Sequence, residues 1–274
     1  MSRDAILELD RVSKHFGGLN VVDDLSFAVR RGSRTALIGP NGAGKTTVFN
    51  LISGVFPVDA GAIRLQDSEI TRIPSRLRIR HGIARTFQNV RLMPHLSTLE
   101  NVIVGQHSRA GWRGVLQPVN LVPRNRWREE ARAALADAGL ADFASASVGS
   151  LPYGVQKRIE VVRALMAKPA LLLLDEPAAG LNPAETEALQ LYLERLSSKD
   201  GLTLLIVEHD MHFVGALCGD VVVLSFGRKI AEGSPEAVRQ NPEVQEVYLG
   251  KPAARANATE APARLEYDRA SCSA

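Results

Sequence analysis

The chain has 274 residues, 45% hydrophobic and 23% charged, with a formal net charge of +3. That is enough for a sizeable core in one large domain or two modest ones. The mild charge, with no long basic run or aromatic-basic ladder, does not suggest nucleic-acid binding, and two distant cysteines, Cys218 and Cys272, imply neither a disulfide framework nor a metal site.

That cysteine usage fits a reducing cytoplasm, and Met1-Ser2-Arg3-Asp4 lacks the apolar stretch of a signal peptide. No apolar run approaches the roughly eighteen residues of a membrane span, so any membrane link is expected through a partner. Residues 5–38 read as strand-rich: Ile6, Leu9 and Val12 mark one strand, and Leu25, Phe27 and Val29 alternate in a second. Between them, Lys14-His15-Phe16-Gly17-Gly18 is a turn whose aromatic either packs or, near a phosphate loop, stacks on a purine. Thr35-Ala36-Leu37-Ile38 is a short buried strand that runs into Gly39-Pro40-Asn41-Gly42-Ala43-Gly44-Lys45-Thr46-Thr47, and Val48, Leu51 and Ile52 follow at helical spacing. Strand, glycine-rich turn and helix are the context a phosphate loop requires. Its backbone N–H groups and the helix N-terminus would cradle a triphosphate. Lys45 would reach the β- and γ-phosphates, and the Thr46 hydroxyl would ligate Mg²⁺.

Ala62-Ile63-Arg64-Leu65 reads as an edge strand, Arg76 to Arg80 after Pro74 as a short amphipathic helix, and Ile83 to Phe87 as a strand ending at Gln88. Residues 89–165 then turn helical. Leu99, Val102 and Ile103 fit one helix, a loop runs from Gly105 to Asn125 around Trp112, and Trp127, Ala131, Ala134, Leu135 and Ala138 share a face ended by Gly139. A long inserted loop of this kind suits partner contacts or gating. The chain turns at Leu151-Pro152-Tyr153-Gly154, and Val155, Ile159, Val162 and Met166 predict a helix stopped by Lys168-Pro169. Leu171 to Leu174 is a continuous apolar run, as in a strand central to a parallel sheet, and ends in Asp175-Glu176. An amphipathic helix over 184–196, a buried strand Thr203 to Val207 ending in Glu208-His209-Asp210, a hairpin around Phe226-Gly227 and short helical pieces over 235–249 complete the order. From Lys251 the composition loses periodicity, and 251–274 is expected to be a disordered tail.

Gln88, Asp175-Glu176 and His209 each follow a buried strand, and ligands of open parallel sheets sit at the carboxyl ends of strands. All are therefore expected beside one γ-phosphate. Asp175 is placed for the Mg²⁺ shell, Glu176 to polarise a water, His209 to bond the phosphate, and Gln88 to reach metal or water. Taken singly, an acid after a strand is often a helix cap.

Over residues 5–250 the chain resembles the nucleotide-binding subunits of ATP-binding cassette (ABC) transporters. Gly39 to Thr46 matches Walker A, Gln88 the Q-loop, Leu171 to Asp175 Walker B, and Glu176 the catalytic glutamate. Ala178-Ala179-Gly180-Leu181-Asn182 matches the D-loop, His209 the switch histidine, and Phe16 the adenine-stacking aromatic, which favours stacking over packing. Leu151-Pro152-Tyr153-Gly154-Val155 occupies the signature motif that contacts the partner subunit's ATP. The resemblance implies an α/β P-loop NTPase with an N-terminal antiparallel β subdomain and an inserted helical subdomain at about 89–165, hydrolysing ATP with Mg²⁺. Two departures stand out. Pro152 and Val155 replace the serine and glutamine of Leu-Ser-Gly-Gly-Gln, and Asn182 replaces an aspartate. Gly154 and the helix N-terminus must then carry more of the anion binding.

Thr86 to Leu92 with Glu100-Asn101-Val102, Asp175 to Pro183, and Val247-Tyr248-Leu249-Gly250 are similar to the branched-chain amino-acid importers. That narrower resemblance implies uptake of leucine, isoleucine and valine through two transmembrane permease subunits. It also implies a second ATP-binding subunit, identical or different, and a periplasmic or lipid-anchored solute-binding protein, with this chain at the cytoplasmic face of the inner membrane. An importer of another amino acid or amide, or a lipid or lipopolysaccharide exporter, shares every catalytic motif. A cassette ATPase acting on nucleic acid or ribosomes fits less well, since there is one phosphate loop and no long heptad run.

Overall fold

The computed structural model describes residues 4–109 and 126–249. Most of the loop expected from Gly105 to Asn125, and the expected tail 251–274, lie outside the described residues. The chain opens with two twelve-residue strands, β1 (Ala5–Phe16) and β2 (Leu19–Arg30), paired antiparallel. Strand β3 (Arg34–Ile38) follows, then helix α1 (Lys45–Ile52). Strand β4 (Ala60–Leu65) returns to pair with β1. From its sequence β4 reads as an edge strand, but the two-residue β5 (Ser68–Glu69) takes the edge instead. The cause is local. Gln66 and Asp67 both adopt positive φ, 48° and 63°, the twist of a two-residue hairpin, and fold the chain straight back.

A second sheet has the order β10-β9-β3-β8-β7-β6. Its remaining strands are β6 (Ile83–Arg85), β7 (Leu171–Asp175), β8 (Thr203–Val207), β9 (Asp220–Ser225) and β10 (Arg228–Gly233). All pairings are parallel except β9 with β10, which are joined by a Phe226-Gly227 turn. β6 stops at Arg85, two residues short of the expected Phe87, after which only the Thr86 N–H reaches the Leu173 carbonyl.

The continuous apolar runs are explained by burial on both faces. Side chains alternate across a strand. Leu172 and Leu174 of β7, Ala36 and Ile38 of β3, Leu204 and Ile206 of β8, and Val221 and Val223 of β9 therefore enter one core. Their neighbours Leu171 and Leu173, Leu37, Leu205 and Val207, and Val222 and Leu224 enter the other. The second core is filled by α1 and by β1, β2 and β4, so α1 lies between the two sheets. The first is covered by helices. These include α3 (Thr98–Val104), α4 (Arg126–Asp137), α5 (Tyr153–Leu165), α6 (Pro183–Asp200) and α7 (Met211–Leu217). The short α2 (Ser75–Arg78) precedes β6, while α8 (Pro235–Gln240) and α9 (Pro242–Leu249) end the described chain.

Caps set the helix bounds. Ser97 and Glu100 form a capping box on α3, and Asn182 and Glu185 form one on α6. With Pro183 at its first position and Gly201 at its C-cap, α6 outruns the expected 184–196 at both ends. Among the described residues no helix is long and apolar enough to cross a membrane. Leu172 sits fully buried in the middle of the sheet. Leu172→Ala is therefore expected to lower unfolding free energy by about 2–5 kcal/mol, measured by denaturant titration.

Candidate active site

The carboxyl ends of β3, β7 and β8 bring the phosphate loop, Asp175-Glu176 and Glu208-His209 to one edge of the sheet. The loop is held from outside. Gly44 stands at φ 99°, and a Cβ there would lie 2.6 Å from the Val21 carbonyl oxygen. The β9–β10 turn clamps the other side. The Gly227 N–H donates to Ala43 O at 3.1 Å, and the Asp23 N–H donates to Gly227 O at 3.0 Å. Asn41, Gly42 and Thr46 remain exposed, whereas Lys45 is buried. Its Nζ donates to Gly39 O at 2.7 Å and Pro40 O at 3.0 Å. Burial lowers the Lys45 pKa, and Glu176 and Asp175 oppose that shift. Tyr248 of α9 also approaches the loop. Its phenol pKa is raised by burial and drawn back by the Gly39 amide.

The acidic residues have distinct partners. Asp175 Oδ2 accepts from Arg85 Nη2 at 2.8 Å, and both side chains are largely buried. Arg85 Nη1 also donates to Asn50 Oδ1 at 2.7 Å and Ser53 Oγ at 3.1 Å, tying the end of β7 to α1. Glu176 is brought together with two of the expected residues. Gln88 Nε2 donates to its Oε2 at 2.7 Å, and His209 Nδ1 lies 4.0 Å from its Oε1. The His209 side chain is 65% exposed, so it is free to turn toward a ligand. Glu208 has the opposite environment. It is 1% exposed, accepts from the Ala178 N–H at 2.9 Å and the His209 N–H at 3.2 Å, and its carboxyl pKa is raised by burial.

The signature segment packs against the D-loop of its own chain. Pro152 caps α5 without a side-chain hydrogen bond, while Leu151 and Val155 pack on the core. A Cβ on Gly154 would strike the Glu185 carboxylate, and one on Gly180 would lie 3.1 Å from Tyr153 Cε1. Ala178 and Leu181 pack on the same core. Ala179 leads into Gly180 through a turn in which its N–H donates to Glu176 O at 3.2 Å. Asn182 Oδ1 accepts from the Glu185 N–H at 3.0 Å. That N-cap role suits Asn as well as Asp, which accounts locally for the departure from aspartate.

Arg85 and Glu208 escape the sequence reading, as do Lys157 and Glu160 on α5, both nearly fully buried. The available signal is that each is charged within or beside an apolar segment, where an unpaired charge is costly.

Among the described residues no cluster of three His, Cys, Asp or Glu side chains could hold a metal alone. The expected donors, Thr46 hydroxyl, Asp175 carboxylate and Gln88 amide oxygen, are hard oxygen ligands. They fit Mg²⁺, which usually takes one or two protein ligands beside substrate phosphates.

Phe16 is 42% exposed. Its ring packs edge-on against Phe56, with centroids 5.1 Å apart, and carries Lys14 Nζ 5.3 Å from its centroid. Packing and an open face thus coexist. The turn expected over Lys14–Gly18 is confined to Gly17-Gly18, and Asp59 fixes the end of β1 before it, accepting from Lys14 Nζ at 2.7 Å and the His15 N–H at 2.7 Å. Those donors pull its carboxyl pKa down to about 2. Its contribution is therefore complete above the ordinary carboxylate range and is lost as pH falls from there toward about 2. Asp59→Asn is expected to weaken ATP binding several-fold while kcat at saturation holds, checked by calorimetry and steady-state kinetics.

Residues 22–179 match the family model described as ABC transporter. Residues 228–254 match that of the branched-chain amino acid ATP-binding cassette transporter. The high-affinity branched-chain amino acid transport ATP-binding protein BraF of Pseudomonas aeruginosa is 40% identical over 92% of this chain and 100% of its own length. The corresponding protein LivG of Escherichia coli is 38% identical over 90% of this chain and 98% of its own. Among solved structures, the ADP conformation of an ATP-binding cassette of an ABC transporter superposes with a TM-score of 0.81. It is 30% identical, covering 90% of this chain and 99% of that one. A glycine loop braced by β2 and the β9–β10 turn, carboxylates at the strand ends and near-complete coverage of these relatives all agree. The chain belongs to the ATP-binding cassettes of ABC transporters, and it binds and hydrolyses ATP.

Proposed function

We propose that this chain energises an importer of branched-chain amino acids. The observation that carries the solute class is its 38–40% identity, over nearly full length, to two proteins named for that transport. In this reading the loop amides from Gly39 to Thr47 and the start of α1 hold the phosphates. Lys45 leaves the Gly39 and Pro40 carbonyls to reach them, and Phe16 offers its open face to the adenine. Glu176 polarises the attacking water, held by Gln88, and His209 swings to the γ-phosphate. Thr46, Asp175 and Gln88 would hold Mg²⁺, with Asp175 sharing its carboxylate with Arg85. Bound there, the ion would supply positive charge to the phosphates.

The nucleotide is closed by a second cassette, identical or different, whose α5 N-terminus at Gly154 faces it. Leu151, Pro152, Tyr153 and Val155 of that segment form the surface around the amides. The subunit sits at the cytoplasmic face of the membrane on two permeases served by a solute-binding protein. A cleft of about 920 Å³ between α2, α3 and α5 is the permease seat in this reading. Arg76, Arg80, His107 and Arg163 line it, and among the described residues Glu160 is its one carboxylate, which fits an acidic cytoplasmic segment.

Glu176→Gln should retain ATP binding while steady-state hydrolysis drops by about 10²–10⁴-fold, read by phosphate release. Unchanged turnover would remove Glu176 as the base. Lys45→Ala should instead raise the dissociation constant for ATP itself. Deleting the chain from its cell should abolish uptake of labelled leucine, isoleucine and valine. Intact uptake together with an export defect would assign it to an exporter.

A further inference from the structure

Lys157 and Glu160 lie on the same face of α5, one turn apart, and are only 3% and 2% exposed. The Lys157 ammonium donates to Gln88 O at 2.7 Å and to Glu176 O at 3.3 Å. One buried cation thus holds main-chain carbonyls from two separate segments, the loop after β6 and the end of β7. Three residues on, Glu160 Oε1 accepts from the Arg91 N–H at 3.0 Å, and Arg163 Nη1 donates to Arg91 O at 2.6 Å. The helix that begins at the signature segment therefore grips the loop carrying Gln88 at both ends.

Stability alone is a weak reason for this arrangement. Burial lowers the Lys157 pKa, opposed first by Glu160 and then by Glu208, Asp175 and Glu176. Burial likewise raises the Glu160 pKa. Buried charges of this kind are often replaceable by apolar side chains without loss of stability. Glu176 supplies a reason of another kind. Its φ is 46°, a left-handed conformation that non-glycine residues avoid unless their surroundings enforce it. The Glu176 N–H donates to Val207 O at 2.9 Å, and its C=O accepts from the Ala179 N–H at 3.2 Å and from Lys157 Nζ at 3.3 Å, the one side chain among these partners.

We infer that Lys157 is a positioning residue for ATP hydrolysis, setting Glu176 and Gln88 in register through their main-chain carbonyls and coupling both to the signature helix. This rests on the reading of Glu176 as the base. It goes beyond that reading by naming the side chain that aims the base without touching nucleotide.

The test is steady-state hydrolysis by the full chain. Lys157→Met fills the same space without donors. Its kcat should fall about 10²-fold, as for a misplaced reacting group, with KM for ATP and calorimetric ADP affinity within about twofold. Lys157→Arg, which restores donors, should recover most of the loss. Undiminished kcat in Lys157→Met, a raised KM with unchanged kcat, or a loss that arginine does not restore would each overturn the assignment. If the Met variant does not fold, Lys157→Gln, with one remaining donor group, is read by the same criteria. Glu176→Gln measured alongside separates the two claims. Retained turnover there overturns the assignment of the base. A collapsed Glu176→Gln beside an unimpaired Lys157→Met overturns the role of Lys157 alone.

Discussion

A loop that must offer its N–H groups to an anion can spend few on itself, here that of Ala43 on Pro40 O at 3.1 Å, so its shape must be imposed largely by its surroundings. Here that constraint accounts for much of the architecture. The loop from Gly39 to Gly44 is pressed by β2 at Val21, by the β9 carbonyl of Leu224, and by the Gly227 turn. The turn is in turn secured to β2, where Arg228 Nη2 lies 2.6 Å from Asp23 Oδ2. The antiparallel sheet is therefore more than a covering layer. It carries the Phe16 turn on one strand and supports the phosphate loop on the next. Its core is continuous with α1, whose N-terminus points at the same site.

Charge burial organises the other half of the site. Arg85, Lys157, Glu160, Asp175 and Glu208 are all withdrawn from water within a short stretch of the sheet edge. Desolvation makes each of them costly unless partnered, and each has a partner. Glu208 binds backbone amides that start the D-loop and the His209 segment. Asp175 binds Arg85, which binds α1. The result is a framework in which main-chain positions are fixed by buried side chains while Glu176, Gln88 and His209 stay nearer to solvent. That division suits a site whose reacting groups must meet a ligand and whose backbone must not drift.

Residues whose local pattern has one structural meaning were legible in the sequence. The glycine loop between strand and helix, the four leucines before Asp175, the apolar run of β8 and the alternation of Leu25, Phe27 and Val29 in β2 each specify their element. Arg85 and Lys157 are different. Their meaning lies in what the topology brings near, a strand end for one and two carbonyls from distant segments for the other. An isolated basic residue in a helical pattern reads as a solvated face. The shift of the sheet edge from β4 to β5 is hidden in the sequence because Gln66 is an unusual occupant of a left-handed turn and Asp67 has no glycine beside it to announce one.

The departures in the signature segment take on a definite form in this setting. Loss of the serine hydroxyl at Pro152 leaves the first turn of α5 with its backbone amides, and proline fixes the chain that enters it. Tyr153 lies against Gly180 and Gly154 against Glu185, so signature segment and D-loop meet as one surface. A side chain at either glycine would pry them apart. Further along the same helix, the buried lysine and glutamate reach the Gln88 loop. An anion drawn to the start of α5 would thus bear on a helix that also touches the D-loop and the Gln88 loop. In the proposed closed pair the substitutions remove a serine hydroxyl and a glutamine amide from the nucleotide's surroundings and leave that connection whole. In that proposed pair the backbone amides and the packing behind them, more than signature side chains, are what an opposing nucleotide would act upon.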